Sequence, residues 1–257
     1  AFQPDSRKLH YLNHRLQTGD LVTIRLEETI SSPNIEPVDI PLTILYEDED
    51  LMVVNKPADM PIHPSAGNHR NTLANAAAYY FSSQGIPYVF RCVNRLDRDT
   101  TGLTVLAKNM HAASILSDMI KHNLLHREYL AIVTGVPSDS GTIDAPIARK
   151  DGSTIERIVD FDAGEAAVTH YERLSANGDY SLLRIWLDTG RTHQIRVHMS
   201  HIGHPLPGDF LYCPQYSHIK RQALHSARLT FSHPITKEPL KFEAPLPADM
   251  QFINTSL

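Results

Sequence analysis

An aspartate flanked by two arginines is the feature of this sequence best suited to chemistry. Asp97 lies between Arg95 and Arg98 in residues 94–102. A carboxylate between two cations is expected to stay ionised at neutral pH, which suits a nucleophile or a base better than a general acid. The same spacing also fits an ion-pair network in a loop, and at this point the two interpretations are evenly balanced.

A second polar cluster occupies residues 190–198. If a helix begins at Thr192, His193 and Arg196 lie on the same face of it. An arginine among apolar neighbours needs a buried acid as its partner, and Asp97 is the candidate that we select.

Four histidines in and after this cluster raise the possibility of a metal site. Their separations are five, three and three residues, with no acid between them: His193, His198, His201 and His204. Zinc ligands on one helix are usually spaced i, i+4 with a carboxylate nearby. Metal binding is therefore the weaker interpretation.

A tyrosine within a predicted strand is the third candidate. Tyr129 lies in residues 127–133 and shares one side of the strand with Ala131 and Val133. Period alone favours a tyrosine of the hydrophobic core, although a buried hydroxyl would still need a partner.

The elements that must position these side chains follow from hydrophobic periodicity and turn residues. Strands are predicted at 42–46, 51–55, 103–107, 128–133, 168–174, 180–187 and 223–231. Helices are predicted at 71–81, 110–122 and 192–202, and hairpins or surface loops at 138–165. Because strands outnumber helices and short turns join most of them, an α+β domain on an antiparallel sheet is favoured.

The chain divides into three segments. Residues 1–30 form a small separate piece with a strand at 21–26, and the proline-containing residues 31–43 form an extended linker without a helix. The main domain spans residues 44–257. Since residue 1 is Ala, we expect the chain to be processed or cut from a longer one.

Six motifs in order resemble the RluA-type family of pseudouridine synthases. They are VVNKP at 53–57 with HP at 63–64, RLDRDTTGL at 95–103, REYLAIV at 127–133, TGRTHQIRVH at 189–198, IGHPL at 202–206 with GD at 208–209, and LHS at 224–226. One such motif is a weak signal, but six in family order are hard to obtain by chance.

The resemblance implies a fold and an activity. The fold would be the pseudouridine synthase catalytic fold, with a mixed, mostly antiparallel sheet, flanking helices and a central RNA-binding cleft. The enzyme would be an isomerase that converts specific uridines of structured RNA, 23S rRNA or tRNA or both, to pseudouridine. Isomerisation needs no redox equivalent or activated donor, so no metal and no organic cofactor are expected.

The resemblance also implies roles for individual residues. Asp97 would be the nucleophile or base, Tyr129 would pack against the uracil and take part in proton removal, and Arg196 would pair with the aspartate. Arg95 would hold the target nucleotide out of the stack. The remaining expected RNA-binding residues are Lys56, His63, Arg98, Arg191 and His193.

Two positions need separate mention. The usual family form has His before Arg-Leu-Asp, whereas this chain has Asn94; both side chains donate a hydrogen bond, so activity is expected to survive. Residues 8–26 resemble the tail of an S4-type RNA-binding domain, so residues 1–30 are expected to be a remnant of one.

Composition limits the class of protein. The net charge is −5, but eight of the 29 acids lie in residues 27–50, which contain no Lys or Arg, so the rest of the chain is slightly basic. Charge therefore neither supports nor excludes RNA binding. Two cysteines are too few for a disulfide framework. With so few cysteines and with neither a signal peptide nor a membrane span predicted, we expect a cytoplasmic protein. We expect it to be a monomer, although the sequence itself leaves the oligomeric state open.

Two other functions are possible for these residues. A non-catalytic RNA-binding or assembly protein would have lost the acid or its partner, yet Asp97, Tyr129 and Arg196 are all present. A glycoside hydrolase would need two carboxylates across the scissile bond. Asp99 is the nearest second acid, and nothing in the sequence directs it to the same cleft.

Overall fold

One large sheet organises the computed structural model, which describes residues 15, 17–19, 28–214 and 218–254. Within these residues the sheet has nine strands, and a separate hairpin has two. The proposed S4-like remnant and its strand at 21–26 lie outside the described residues, apart from 15, 17–19 and 28–30.

The element boundaries are as follows. The strands are β1 (Ile44–Glu47), β2 (Leu51–Lys56), β3 (Thr101–Ala107), β4 (His126–Thr134), β5 (Ser140–Asp144), β6 (Ile147–Arg149), β7 (Arg157–Val159), β8 (Val168–Asn177), β9 (Tyr180–Leu187), β10 (Leu224–Ser232) and β11 (Pro239–Glu243). The helices are α1 (Leu73–Ser82), α2 (Met110–Lys121), α3 (Gln194–His201) and a 3₁₀ helix (Ala248–Asn254).

The sheet is antiparallel except at one strand pair. Its order is β1-β2-β3-β10-β4-β9-β8-β5, with β11 also on β10, and β3 runs parallel to β10. At this pair Gly102 lies opposite Ser226. Gly102 has a φ of +110°, and a Cβ there would lie 2.2 Å from the Ser226 carbonyl oxygen. Only glycine fits where these strands meet, which explains the glycine of the 95–103 motif.

Helices α1 and α2 cover opposite faces of the same strands. Val53 packs in the cluster that contains Leu116 of α2, and its neighbour Val54 packs in the cluster that contains Leu73 of α1. Successive residues of a strand point to opposite faces, so β2 is covered on both sides. This explains why β2 and β3 are almost continuously apolar.

The other half of the sheet is covered by α3. Its residue Met199 packs with Ala131 of β4 and Leu183 of β9, whereas Ile132 faces the other way, onto Met250 of the 3₁₀ helix. The position of α3 over the sheet is therefore set by its packing on β4 and β9.

Residues 31–43 contain no helix or strand, but they lie along the catalytic domain. The Ser32 amide donates to the Tyr88 carbonyl at 3.2 Å, and the Asn75 side chain of α1 donates to the Glu36 carbonyl at 2.7 Å. Ile35, among others, packs on the cluster beneath α1.

Most of the predicted elements are confirmed within two or three residues. Helix α3 begins at Gln194, two residues after the predicted start at Thr192, and His193 before it has a left-handed φ of 59°. β11 was not predicted, since it is a short edge strand that begins at a proline and contains a lysine and a glutamate, although Leu240 and Phe242 pack on the core cluster of α2. Across the described residues, no helix is long and apolar enough to span a membrane.

Candidate active site

A cleft of about 460 Å³ opens over the centre of the sheet. Its walls come from the loop before β3, the middle of β4 and the start of α3. Asp97, Tyr129 and Arg196 all line it. The structure thus brings together three side chains that lie up to 99 positions apart in the sequence.

The loop that carries Asp97 is fixed on both sides of the aspartate. Before it, Leu96 is buried in the core cluster of β4 and β9. Asn94 is also buried; its Nδ2 donates to the Leu103 carbonyl at 3.1 Å, and its Oδ1 accepts from the Val105 amide at 2.8 Å. After it, the Thr100 amide donates to the Asp97 carbonyl. The Asn94 amide thus ties the loop to β3 through a donor and an acceptor.

The predicted contact between Asp97 and Arg196 is present. Arg196 Nη1 donates to Asp97 Oδ2 at 2.9 Å, and His193 Nε2 lies 4.0 Å from the same oxygen. The Asp97 side chain is 26% exposed, and among the described residues nothing donates a hydrogen bond to its Oδ1. One oxygen is therefore held by the protein, while the other is available to a molecule in the cleft.

Arg196 has a second acidic partner that lies deeper than Asp97. Its Nε and Nη2 donate to the two carboxylate oxygens of Asp209, at 2.6 and 2.8 Å, and Asp209 is fully buried. Burial by itself would lower the pKa of Arg196, but the hydrogen bonds to Asp209 and the charge of Asp97 outweigh it and raise the pKa. The planar guanidinium thus donates from two nitrogens to Asp209 and from the third to Asp97.

The position of Asp209 follows from its neighbours. Gly208 has a φ of +76°, and a Cβ there would lie 2.3 Å from the Arg221 carbonyl oxygen, so the turn requires glycine. The amides of Leu211 and Tyr212 donate to Asp209 Oδ1 at 3.0 and 3.3 Å. Sequence reasoning assigned no role to Asp209, although the pair Gly208-Asp209 stood in a matched motif and was the available signal.

His193, the residue before α3, lines the cleft and has an unusual backbone conformation. His193 takes the left-handed conformation immediately before the helix, and its Nδ1 lies 3.1 Å from the Tyr212 hydroxyl. Burial lowers the pKa of His193, against the opposing charge of Asp97. Gln194 fixes the turn, since its Oε1 accepts from Thr189 Oγ1 and from the Arg191 amide, at 2.8 and 3.0 Å.

Two residues of β4, Tyr129 and Arg127, line the cleft. The Tyr129 side chain is 5% exposed and packs with Leu96 and Ile195, and burial raises its pKa. Among the described residues its hydroxyl has no hydrogen-bond partner. Arg127 was not predicted as a site residue, yet it lines the cleft, and its buried Nε has no hydrogen-bond partner either.

The residues predicted to bind RNA divide into two groups. Four of them line the cleft: His63, Arg95, Arg191 and His193. Arg98 and Lys56 do not. Arg98 pairs with Asp99 at 3.0 Å and lies 3.8 Å from Asp59. The cation that contacts Asp97 is therefore Arg196, not the flanking arginines of the loop.

Lys56 has a setting that does not suit a phosphate contact. It is 1% exposed, and its Nζ donates to the backbone carbonyls of Pro57, Met60 and Arg98 at 2.8 to 3.0 Å. Burial lowers the pKa of Lys56 to about 7, whereas three carbonyl acceptors match the three N–H donors of the charged amine. Lys56 thus ties the turn after β2 to the end of the Asp97 loop.

The histidines that raised the question of a metal do not form one cluster. His198 is fully buried, and its two ring nitrogens lie 2.9 Å from Thr169 Oγ1 and 2.8 Å from the Ala145 carbonyl. His204 Nδ1 lies 2.8 Å from the Thr134 carbonyl. Both side chains therefore have structural hydrogen bonds to the sheet.

The cleft contains one carboxylate within the part of the chain that the structure describes. That carboxylate is Asp97, while Asp99 lies outside the lining and pairs with Arg98. A second carboxylate across the cleft, which a glycoside hydrolase would need, is missing from this lining. The geometry defines a site with one acid, one aromatic wall and several cations.

Comparisons with known proteins agree on one class. Residues 50–201 match the family model described as RNA pseudouridylate synthase. The uncharacterized RNA pseudouridine synthase YjbO of Bacillus subtilis is 45% identical, over 91% of this chain and 83% of the relative. The ribosomal large subunit pseudouridine synthase D of Zymomonas mobilis is 46% identical, over 85% and 73%. The structure of human RNA Pseudouridylate Synthase Domain Containing 1 covers 80% of this chain and is itself covered to 83%, at a TM-score of 0.65 and 27% identity.

The chain belongs to the RNA pseudouridylate synthase family, in its RluA-type branch, as the ordered motifs predicted. It is an isomerase that acts on RNA and converts uridine to pseudouridine. The predicted α+β fold with a mixed, mostly antiparallel sheet is likewise confirmed.

Proposed function

We propose that Asp97 is the residue that acts on the ribose of the target uridine, as a nucleophile or as a base. The observation that carries this proposal is the division of its two oxygens. Oδ2 accepts a hydrogen bond from the buried Arg196, and Oδ1 has no donor among the described residues. A carboxylate held in this way is oriented without being neutralised by a second donor.

The isomerisation exchanges one bond for another without a redox change. The bond between C1′ and N1 breaks, the uracil turns within the cleft, and a bond forms between C1′ and C5. C5 then loses its proton and N1 gains one. As a nucleophile, Asp97 would form an ester at C1′ and leave when C5 attacks; as a base, it would take a sugar proton and return it.

Tyr129 and Arg196 have separate roles in this scheme. The ring of Tyr129 packs against the detached uracil, and its hydroxyl takes part in removing the C5 proton. Supporting this, Tyr129 lines the cleft, and its hydroxyl has no hydrogen-bond partner among the described residues. Arg196 positions Asp97 and stabilises the negative charge that returns to the carboxylate when the new bond forms.

The RNA contacts that we propose are those that line the cleft. Arg95 occupies the space of the extruded base, and Arg191, His63 and His193 surround the nucleotide. We add Arg127 because it has no ion-pair partner among the described residues. Arg98 and Lys56 we assign to the support of the Asp97 loop, on the basis of their bonds to Asp99 and to backbone carbonyls.

The substrate that we propose is large-subunit rRNA, with tRNA as the second candidate. The support is the name of the Zymomonas mobilis relative, a ribosomal large subunit synthase that matches 85% of this chain. A ribosomal substrate also favours the cytoplasm as the compartment. Because Asp97, Tyr129, Arg196 and Asp209 come from one chain, the site is complete in a monomer, which we propose as the working state.

A tritium-release experiment tests the catalytic proposal. Large-subunit rRNA and tRNA transcripts labelled with [5-³H]uridine would be incubated with the wild type and with Asp97→Asn. We expect release by the wild type from the rRNA and none above background from the variant. The control is Asp118→Asn, which changes an exposed acid of α2 that does not line the cleft, and it should keep most of the activity.

Two outcomes would contradict the proposal. Release by Asp97→Asn at the wild-type rate would remove Asp97 from the chemistry. Release by the wild type from tRNA alone would leave the catalytic role intact and overturn the choice of rRNA.

A further inference from the structure

A second pocket of about 380 Å³ adjoins the active-site cleft. Arg95, Gly190, Arg191 and Thr192 line both. The other wall comes from the β6–β7 hairpin, which contributes Arg149 and Arg157. We call this pocket the arginine groove, after Arg95, Arg149, Arg157 and Arg191.

The groove carries a strong excess of positive charge. Four arginines line it together with Glu165, its one carboxylate among the described residues. Glu165 pairs with Arg191 at 2.5 Å. Arg95 and Arg149 are exposed and have no ion-pair partner within the described part of the chain. The charge is therefore largely uncompensated within the protein.

The hairpin itself places two of these cations against each other. Arg149 and Arg157 are directly opposite in the register of β6 and β7. Like charges in directly opposite positions destabilise the pairing of two strands. A two-stranded hairpin is only marginally stable by itself. One step further along the hairpin the pairing is favourable, since Lys150 Nζ lies 2.9 Å from Glu156 Oε1. An anion bound between the two arginines would remove their repulsion.

The hairpin is anchored to the catalytic site. The Arg157 amide donates to the Tyr212 hydroxyl at 2.9 Å, and this hydroxyl lies 3.1 Å from His193 Nδ1. The ring of Tyr212 also lies 5.1 Å from the guanidinium carbon of Arg196. The groove is thus held at a fixed position relative to Asp97.

We propose that the arginine groove binds backbone phosphates of the RNA strand next to the target uridine. Guanidinium groups bind phosphate oxygens through paired hydrogen bonds, and the shared wall of Arg95 and Arg191 gives a strand whose nucleotide enters the cleft a direct path into the groove. The inference rests on the proposed function and adds to it the β6–β7 hairpin as an RNA contact.

Salt-dependent binding of RNA tests the groove. The probe is the labelled rRNA or tRNA transcript from which the wild type releases tritium, bound to wild type, Arg149→Ala and Glu165→Gln. Log K falls linearly with log salt, and each lost phosphate contact reduces the magnitude of this negative slope by about 0.7 to 0.9. For Arg149→Ala we expect a shallower salt dependence by this amount and a several-fold higher Kd. Its kcat should stay within about twofold of the wild-type value. Glu165→Gln should lower the Kd.

The control is Arg70→Ala, since Arg70 is exposed and lies outside both pockets. It should leave the slope and the Kd as in the wild type. A wild-type slope for Arg149→Ala, or weaker binding by Glu165→Gln, would overturn the inference. That failure is distinct from failure of the catalytic proposal, which depends on Asp97→Asn and not on any variant of the groove.

Discussion

Asp209 holds the guanidinium of Arg196 through both of its carboxylate oxygens, at 2.6 and 2.8 Å, beneath the cleft. Arg196 therefore reaches Asp97 from a position that is already fixed. If Asp97 were its only partner, the long Arg196 side chain would be free to change conformation and would lose conformational entropy whenever it bound Asp97. The deeper pair removes this freedom before RNA binds, so we expect Asp209 to be a positioning residue of the site.

Replacing Asp209 should impair both folding and turnover. Asp209→Asn puts an amide N–H against a guanidinium, and breaking one partner of a buried ion pair costs about 3–5 kcal/mol. We expect a lower free energy of unfolding in urea and a single-turnover rate about 10- to 100-fold lower, the range for partners that orient a reacting group.

A matched control exists for this substitution. Asp249 also binds an arginine through both oxygens, Arg221 at 2.7 and 2.8 Å, but lies outside the cleft. Asp249→Asn should keep the wild-type rate. If Asp209→Asn lost stability but kept the wild-type rate for its folded fraction, its role would be structural only.

The hydroxyl of Tyr129 should matter more to turnover than to RNA binding. Tyr129→Phe keeps the aromatic wall and removes the O–H, so we expect KM within about threefold and a rate of tritium release lower by about 10²–10⁴. Tyr171→Phe changes another tyrosine of the same core cluster that does not line the cleft, and it should be nearly silent. An active Tyr129→Phe enzyme would limit this residue to packing.

Asn94 should be replaceable by histidine but not by alanine. Asn94→Ala leaves the Val105 amide without its side-chain acceptor in a buried place, which costs about 1–3 kcal/mol, and frees the loop of Asp97. We expect lower stability and a reduced kcat. Asn94→His restores the residue usual in the family and should retain most of the activity. Equal activity of the Asn94→Ala and wild-type enzymes would show that the hydrogen bonds between Asn94 and β3 are dispensable for catalysis.

Acid should destabilise the protein through its buried histidines. Burial lowers the pKa of His198 below the ordinary value of 6.5. The unfolded chain therefore takes up the proton first as the pH falls through 6.5, and stability falls from there down to the folded-state pKa. Each such histidine contributes at most about 1.4 kcal/mol per pH unit.

Urea unfolding between pH 7.5 and 5 measures this dependence. His198→Gln should reduce the slope of unfolding free energy against pH in the acid range, while His69→Gln, which changes an exposed side chain, should leave it as in the wild type. An unchanged slope for His198→Gln would contradict the assignment.

The sequence determined the local elements and the identity of the central residues. Alternating and 3.6-residue periods predicted most strands and helices, because burial of one face is a local property of the chain. They placed the start of α3 two residues early, because His193 adopts a left-handed conformation that a hydrophobic pattern does not indicate. They also failed at β11, a short strand that begins at a proline and has only two apolar residues, Leu240 and Phe242, to show the alternation.

Only the tertiary structure decided how the other charges are arranged around this pair. The sequence predicted that Arg196, 99 positions away, pairs with Asp97, and this pairing is present. It did not predict that Asp209 binds the same guanidinium, that Arg98 pairs with Asp99, or that Lys56 is buried. Charge pairing depends on distances of a few ångströms in space and on burial, and both arise only when distant strands and loops pack together.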